Sequence, residues 1–146
     1  MSYSVRKSRP SDVPRLLEVW RRAVAETHDF LAADDRDALD PIVATEYLPN
    51  ADLLVAADDS DRAVAFLGGT GREIDSLFVD PQVNGRGIGT MLMDAFAAQG
   101  TGELWIEVNE QNDAARRFYE RRGFRVVKRF PDDRQGRPYP LLRMVR

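Results

Sequence analysis

The chain has 146 residues, 43% of them hydrophobic and 31% charged, with a formal net charge of −3, the profile of one soluble globular domain spanning residues 1–146 with a core of its own. It has no cysteine and a single histidine, which excludes disulfides, cysteine nucleophiles and thiolate or multi-histidine metal sites, so no metal is expected. The negative balance argues against a dedicated nucleic-acid binder. No apolar run approaches the ~18 residues of a membrane span, so a cytoplasmic location is expected by default.

In chain order, Tyr3–Ser8 alternates as a first strand, and Ser11 is placed to cap a helix opening Asp12-Val13-Pro14. Val13, Leu16, Leu17, Trp20 and Val24 then recur at helical spacing. A transition follows to Phe30, and Asp34–Tyr47 reads as a second helix, broken near Pro41. Leu53–Ala57, Ala63–Gly69 and Glu73–Val79 are three strands joined by the polar turns Asp58–Asp61 and Thr70–Arg72. Ile88–Ala98 is a helix ended by Gly100 and Gly102, Leu104–Asn109 a strand, and Asp113–Arg122 a helix stopped by Gly123. Phe124–Phe130 and Tyr139–Met144 close the chain as a strand pair across the loop 131–138. The order β-α-α-β-β-β-α-β-α-β-β predicts an α+β domain, a mixed sheet with helices on it.

The charge is uneven. Residues 1–60 carry 7 basic and 12 acidic side chains, residues 61–114 carry 3 and 9, and residues 115–146 carry 11 and 3. An anionic ligand along the C-terminal third and a cationic one near the acidic remainder would fit this; so would a solvated basic helix face with scattered surface acids.

The most informative stretch is Asn84-Gly85-Arg86-Gly87-Ile88-Gly89. It lies between a strand that stops at Asp80-Pro81 and a helix that starts at Thr90-Met91. A glycine-rich turn there lets backbone N–H groups close on a phosphate at a helix start. It is not the dinucleotide fingerprint, which needs G-x-G-x-x-G where position 90 is Thr, although Glu107 stands about 20 residues on, where that motif wants an acid. It also lacks the Gly-Lys-Ser/Thr ending of an NTPase loop.

Val79-Asp80-Pro81 followed by Gly85-Arg86-Gly87-Ile88-Gly89, paired with Asn112-x-x-Ala115-x-x-Phe118-Tyr119-x-x-x-Gly123-Phe124, resembles the GNAT superfamily of acyl-CoA-dependent N-acyltransferases. The likeness is close over residues 73–130 and extends elsewhere in element order. One departure is Asn84, where the family's loop usually opens with Gln or Arg. Thr27–Leu31, Val108–Asn112 and Pro138–Leu142 add a likeness to small bacterial acetyltransferases of the YjaB type.

The resemblance implies a mostly antiparallel sheet of about seven strands flanked by about four helices, with two strands splayed apart to form a cleft for coenzyme A. Main-chain groups of Leu77 and Val79, with Phe78 between them, would pair with the pantetheine arm. Amides of Gly85, Arg86, Gly87, Ile88, Gly89 and Thr90 would hold the pyrophosphate, with Arg86 adding a charge. Asn84 would open that loop, Asn112 would hydrogen-bond the arm, and Ala115 and Phe118 belong to the second motif. Arg117, Arg121 or Arg122 would reach the ribose phosphate, though each fits a surface helix equally well.

The implied chemistry is attack of an amine on the acetyl-CoA thioester, in a ternary complex, since no side chain is poised as a covalent nucleophile. A lysine-like amine, pKa ~10.4, must lose a proton first. Asp75 lies where relatives carry a Glu acting through water; Glu107, on the other splayed strand, is its rival, and either could be a solvated strand residue. A backbone N–H near Leu77–Val79 would hold the oxyanion. Tyr119 would donate to the departing sulfur, a transfer uphill by about 2 kcal/mol from a phenol at ~10 to a thiol at ~8.5. His28, Phe30, Asn109 and Tyr139 would line the acceptor site, and Asp34, Asp35, Asp37 and Asp40 would favour a cationic amine if they rim it. The acceptor is a small amine or a peptide or protein amine, and the protein a monomer or homodimer. Two other readings stay open: a non-catalytic acyl-CoA sensor, and a dinucleotide-binding oxidoreductase.

Overall fold

The computed structural model describes residues 2–27 and 32–146. The expected acceptor residues His28 and Phe30 lie outside the described residues. Seven strands, β1 (Ser4–Lys7), β2 (Leu53–Ala57), β3 (Ala63–Thr70), β4 (Glu73–Val79), β5 (Trp105–Asn109), β6 (Arg125–Phe130) and β7 (Leu141–Val145), form one sheet in the order β1-β2-β3-β4-β5-β7-β6. Among the described residues only β4 and β5 pair parallel. Helices α1 (Val13–Thr27), α2 (Ala33–Ile42), α3 (Ile88–Ala97) and α4 (Asp113–Arg121) connect them.

The sheet separates two apolar clusters. One joins α3 to β3, β4, β5 and β7 through Leu67, Ile74, Leu92, Met93, Phe96, Ile106 and Met144. The other joins α1 to β2 and β3 through Leu16, Val19, Trp20, Val24, Val55 and Phe66. β2 and β3 are therefore covered on both faces, which explains their continuous rather than alternating burial, whereas β5 alternates.

Three local expectations are revised. Ser11 does not cap α1: the chain enters through a 3-10 turn at Pro10–Asp12, and the Asp12 carboxylate accepts from the Arg9 amide at 2.7 Å while pairing with Arg6 at 2.9 Å. The predicted helix 34–47 is α2 followed by a π-turn at Val43–Tyr47. Pro41 cannot donate a backbone bond, and the Thr45 hydroxyl donates to its carbonyl at 2.7 Å. Tyr139 lies outside β7, which begins at Leu141; prolines on either side deny the ladder its amides.

The decisive feature of the sheet is where β4 leaves β5. Their parallel pairing consists of Glu73↔Trp105 and Ile74↔Ile106 only. Beyond it β4 stays on β3 as far as Val79↔Ala65, and β5 stays on β7 as far as Asn109↔Leu141. The cause is a bulge: Gly68 pairs with Ser76 and Gly69 with Ile74, so Asp75 is left unmatched on β4. An extra residue bends its strand and sharpens its twist, and here it turns β4 away from β5 one residue after their last contact. A wedge opens between residues 75–79 and 107–109.

Candidate functional site

The wedge leads to a cavity of about 240 Å³ lined by Leu77, Phe78 and Val79 of β4, Asn84 and Gly89 of the glycine turn, and Asn112, Ala115, Phe118 and Tyr119 of α4. All nine come from the expected cofactor residues. α1 contributes Ala23, which sequence reasoning passed over because it adjoins the apolar stripe without belonging to it.

The turn is built for close approach. Gly87, at φ 76°, is the left-handed residue that precedes α3. At Gly89 a Cβ would come 3.0 Å from the Phe118 ring, which would have to give by a few tenths of an ångström, so glycine eases the close approach of α4 to the start of α3. Gly85, Arg86 and Gly87 are exposed, and Ile88 is buried at 3% as a core residue. Arg86 donates to the Tyr3 hydroxyl at 2.8 Å, and Thr90 accepts from Arg122 Nε at 2.7 Å. Arg122 also stacks 3.5 Å from the Phe118 ring centroid and donates to the Phe118 carbonyl, so it clamps α4 to α3. Arg117 and Arg121 are exposed and form no ion pair among the described residues. A parting of β4 from β5, an apolar channel and a glycine turn at a helix start together fit a thioester arm ending in phosphates.

For Gly87→Ala we expect tenfold or more weaker acetyl-CoA binding by calorimetric titration. The added Cβ meets nothing within 4 Å, so the cost is conformational, about 1–2 kcal/mol, and falls on the turn's shape. A lower melting temperature with unchanged affinity would mean the turn does not touch the cofactor.

Tyr119 is 4% exposed, its ring edge-on to Phe118 and Phe124 at 5.1 and 5.3 Å. Its hydroxyl makes no hydrogen bond among the described residues, and the residue forms part of the cavity wall. Burial pushes the phenol well above its ordinary pKa, with the Arg122 charge opposing weakly. It is therefore a protonated donor at neutral pH.

A second cavity, of about 340 Å³, adjoins the first, with Phe78 a wall of both. Its walls are Trp20, Val24 and Leu39, the strand residues Glu73, Ile74, Asp75, Glu107 and Asn109, and Asp133, Arg134, Arg137 and Tyr139 near the β6–β7 loop. The expected acceptor residues Asn109 and Tyr139 thus share one chamber with both candidate bases. The two bases differ sharply. Glu107 accepts from Arg134 Nε at 2.8 Å and from Arg143 at 2.7 Å. Burial alone would raise its carboxyl, but Arg143 and Arg134 outweigh this and hold it below the usual range. Asp75 is exposed and, among the described residues, accepts only from the Thr70 hydroxyl, at 2.9 Å.

The acidic rim is differently composed from the expectation. Asp40 is spent on Arg21 at 2.7 Å, and Asp35 accepts from the Tyr139 hydroxyl. Asp34 and Asp37 are exposed on α2. Glu73, Asp75, Glu107 and Asp133 supply the chamber's negative charge instead, against Arg134 and Arg137. Asn112 uses its side-chain oxygen to accept from the Ala115 amide at 3.1 Å, which makes it the cap of α4 as well as a wall of the cavity.

Sequence reasoning also missed Arg134, which donates to Glu73 at 2.7 Å and to Glu107, bridging the two strands at the start of their split. No local pattern marks an arginine in a long loop as facing two carboxylates far away in sequence.

A family model described as an acetyltransferase (GNAT) domain matches residues 49–126. Over 145 residues the chain is 43% identical to the peptidyl-lysine N-acetyltransferase YjaB of Salmonella typhimurium, covering 99% of each. The solution structure of apo YjaB from Escherichia coli is similar with a TM-score of 0.93 at 41% identity, over 99% of this chain and 97% of that one. PaiA N-acetyltransferase of Thermoplasma acidophilum, solved with coenzyme A, shares the fold at 22% identity, with a TM-score of 0.79 over 98% of both chains.

Proposed function

This chain belongs to the GNAT acetyltransferase family and is an acetyl-CoA-dependent N-acetyltransferase; on that premise we propose that its acceptor is a lysine side chain of a peptide or protein, attacked directly in a ternary complex. The observation that carries the proposal is the pair of cavities meeting at Phe78, one beside the glycine turn and one lined with carboxylates. The first suits a thioester arm and the second an alkylammonium group, and their shared wall brings donor and acceptor together. The relatives' peptidyl-lysine activity supports the same acceptor.

In this reading each step falls to a group of the chain. Glu73, Asp75, Glu107 and Asp133 draw in the ammonium group. Asp75, reached through water, takes its proton, because Glu107 is held in its ionised form by two guanidinia and is a poor proton acceptor. A backbone amide near Leu77–Val79 stabilises the negative charge that develops on the thioester oxygen. Tyr119 donates a hydrogen bond to the departing sulfur. The need for acetyl-CoA supports a cytoplasmic location, and the single continuous sheet supports one domain over residues 1–146.

For Asp75→Asn we expect kcat/KM to fall about tenfold near neutral pH, less than for a fully enclosed base, since water in an open chamber accepts part of the protons. The deficit should shrink as pH rises toward the amine's own pKa of ~10.4, where no base is needed. Glu107→Gln should show no such convergence. A deficit for Asp75→Asn constant across pH would remove it from proton transfer.

The acceptor is tested by incubating the protein and acetyl-CoA with a lysine peptide blocked at its α-amine, the same peptide with only its α-amine free, and a polyamine. The expected result is the mass gain of one acetyl group on the first. Transfer confined to either of the others overturns the lysine assignment.

A further inference from the structure

Among the described residues, Phe78 is the one aromatic side chain that lines both cavities. Its cross-strand partner is Phe66, with ring centroids 5.5 Å apart, and Phe66 is fully buried under α1. The Phe78 ring is thus backed by the core and does not yield easily to a ligand pressing on it. On the helix side, Ala23 lines the donor cavity while Trp20 and Val24 line the acceptor chamber. The boundary between the two therefore runs from α1 at Ala23 and Val24 across to Phe78.

The acyl group of the donor must lie on that boundary. In the proposed reaction, on which this inference rests, Tyr119 meets the sulfur on the donor side and the amine enters from the acceptor side. The carbonyl between them sits where the chambers join, and whatever extends beyond it runs into the boundary residues. We propose that Phe78, with Ala23 opposite on α1, sets the acyl-chain length: the ring closes the space beyond a two-carbon acyl group. The small Ala23 leaves room for the thioester, and the large Phe78 leaves none for a longer chain.

The expected consequence concerns a ratio. Phe78→Ala removes the ring and joins the chambers, so the preference for acetyl over butyryl should fall about tenfold or more, the discrimination that one or two methylenes provide in an apolar pocket. Ala23→Val narrows the same passage from the other side and should impair butyryl transfer more than acetyl transfer. Because Phe78 stacks on a core residue, Phe78→Leu serves as the milder variant, with folding followed by thermal melting.

The experiment measures kcat/KM on one lysine peptide with acetyl-CoA and butyryl-CoA, and independently the binding of both thioesters by calorimetry without acceptor. The expected result is a wild type that discriminates against butyryl-CoA and Phe78 variants that do so less, in turnover and in binding. An unchanged ratio in folded Phe78→Ala and Phe78→Leu overturns the proposal while leaving acetyl transfer intact. A wild type that binds both thioesters but transfers neither overturns the functional reading, and with it this one.

Discussion

Tyr119→Phe should lower kcat about a hundredfold while changing the affinity for acetyl-CoA by no more than a few-fold. The substitution removes one hydroxyl and leaves the ring, which packs edge-on against Phe118 and Phe124. That hydroxyl has no hydrogen-bond partner among the described residues, so its loss takes nothing from the fold, and the melting temperature should hold within about 1 °C. The effect belongs to the departing thiolate, where general acids contribute about 10²–10⁴-fold. The low end applies, because burial raises the phenol's pKa further above that of a thiol, so it supplies a hydrogen bond more than a proton. Steady-state kinetics with acetyl-CoA and a lysine peptide, beside calorimetric binding, would check this. Equal kcat in the two proteins would leave Tyr119 an apolar wall and make acyl-CoA sensing the better reading.

How far the sequence disclosed this arrangement depends on how local each signal is. The glycine turn and α4 are contiguous segments with their own spacing, so both motifs were legible, and their residues meet in one cavity. Strand order beyond the resemblance was not, because pairing depends on contacts between residues far apart. The bulge was half legible: Gly68-Gly69 inside a strand is a known sign of irregularity. Its consequence, Asp75 unmatched at the point where β5 departs, required the register. The charged residues were hardest. Asp34, Asp37 and Asp40 were plausible from composition, yet Glu73, Glu107 and Asp133 line the chamber, because side-chain direction around a bulge and the path of a loop decide which acids converge. Asp80 was read as a strand terminator and as part of the segment leading into the glycine turn, and its other role is entirely tertiary.

That role yields the largest expected change in stability. Asp80 is 1% exposed. Its carboxylate accepts from the Gln82 amide at 3.0 Å, from Arg15 at 2.6 Å and from Arg22 at 3.2 Å. It therefore fastens α1, the helix that walls both cavities, to the end of β4 where the glycine turn begins. Arg15, with 15% of its side chain exposed, carries most of this interaction; Arg22, at 40%, is screened by water and contributes little. Removing one partner of a buried pair strands the other, at about 3–5 kcal/mol, which for a chain of this size corresponds to a fall of roughly 6–20 °C in melting temperature. Asp80→Ala should show this loss. Asp80→Asn, which keeps an oxygen for the Gln82 amide, should lose less.

The pH dependence of that loss has a definite sign. Burial alone would raise the Asp80 carboxyl, but the Gln82 amide and Arg15 outweigh it and hold it below the ordinary range. A carboxyl depressed in the folded state stabilises fully above its unfolded pKa of ~3.9 and ceases to do so as pH falls through its folded value. The gap in melting temperature between wild type and Asp80→Ala should therefore be constant above about pH 5 and narrow progressively in more acidic solution. Saturating acetyl-CoA should recover part of the variant's loss, since ligand binding restrains the walls that Asp80 joins. A variant that melts with the wild type at neutral pH, or a gap that widens on acidification, would show that the Asp80–Arg15 pair does not hold α1 to the turn.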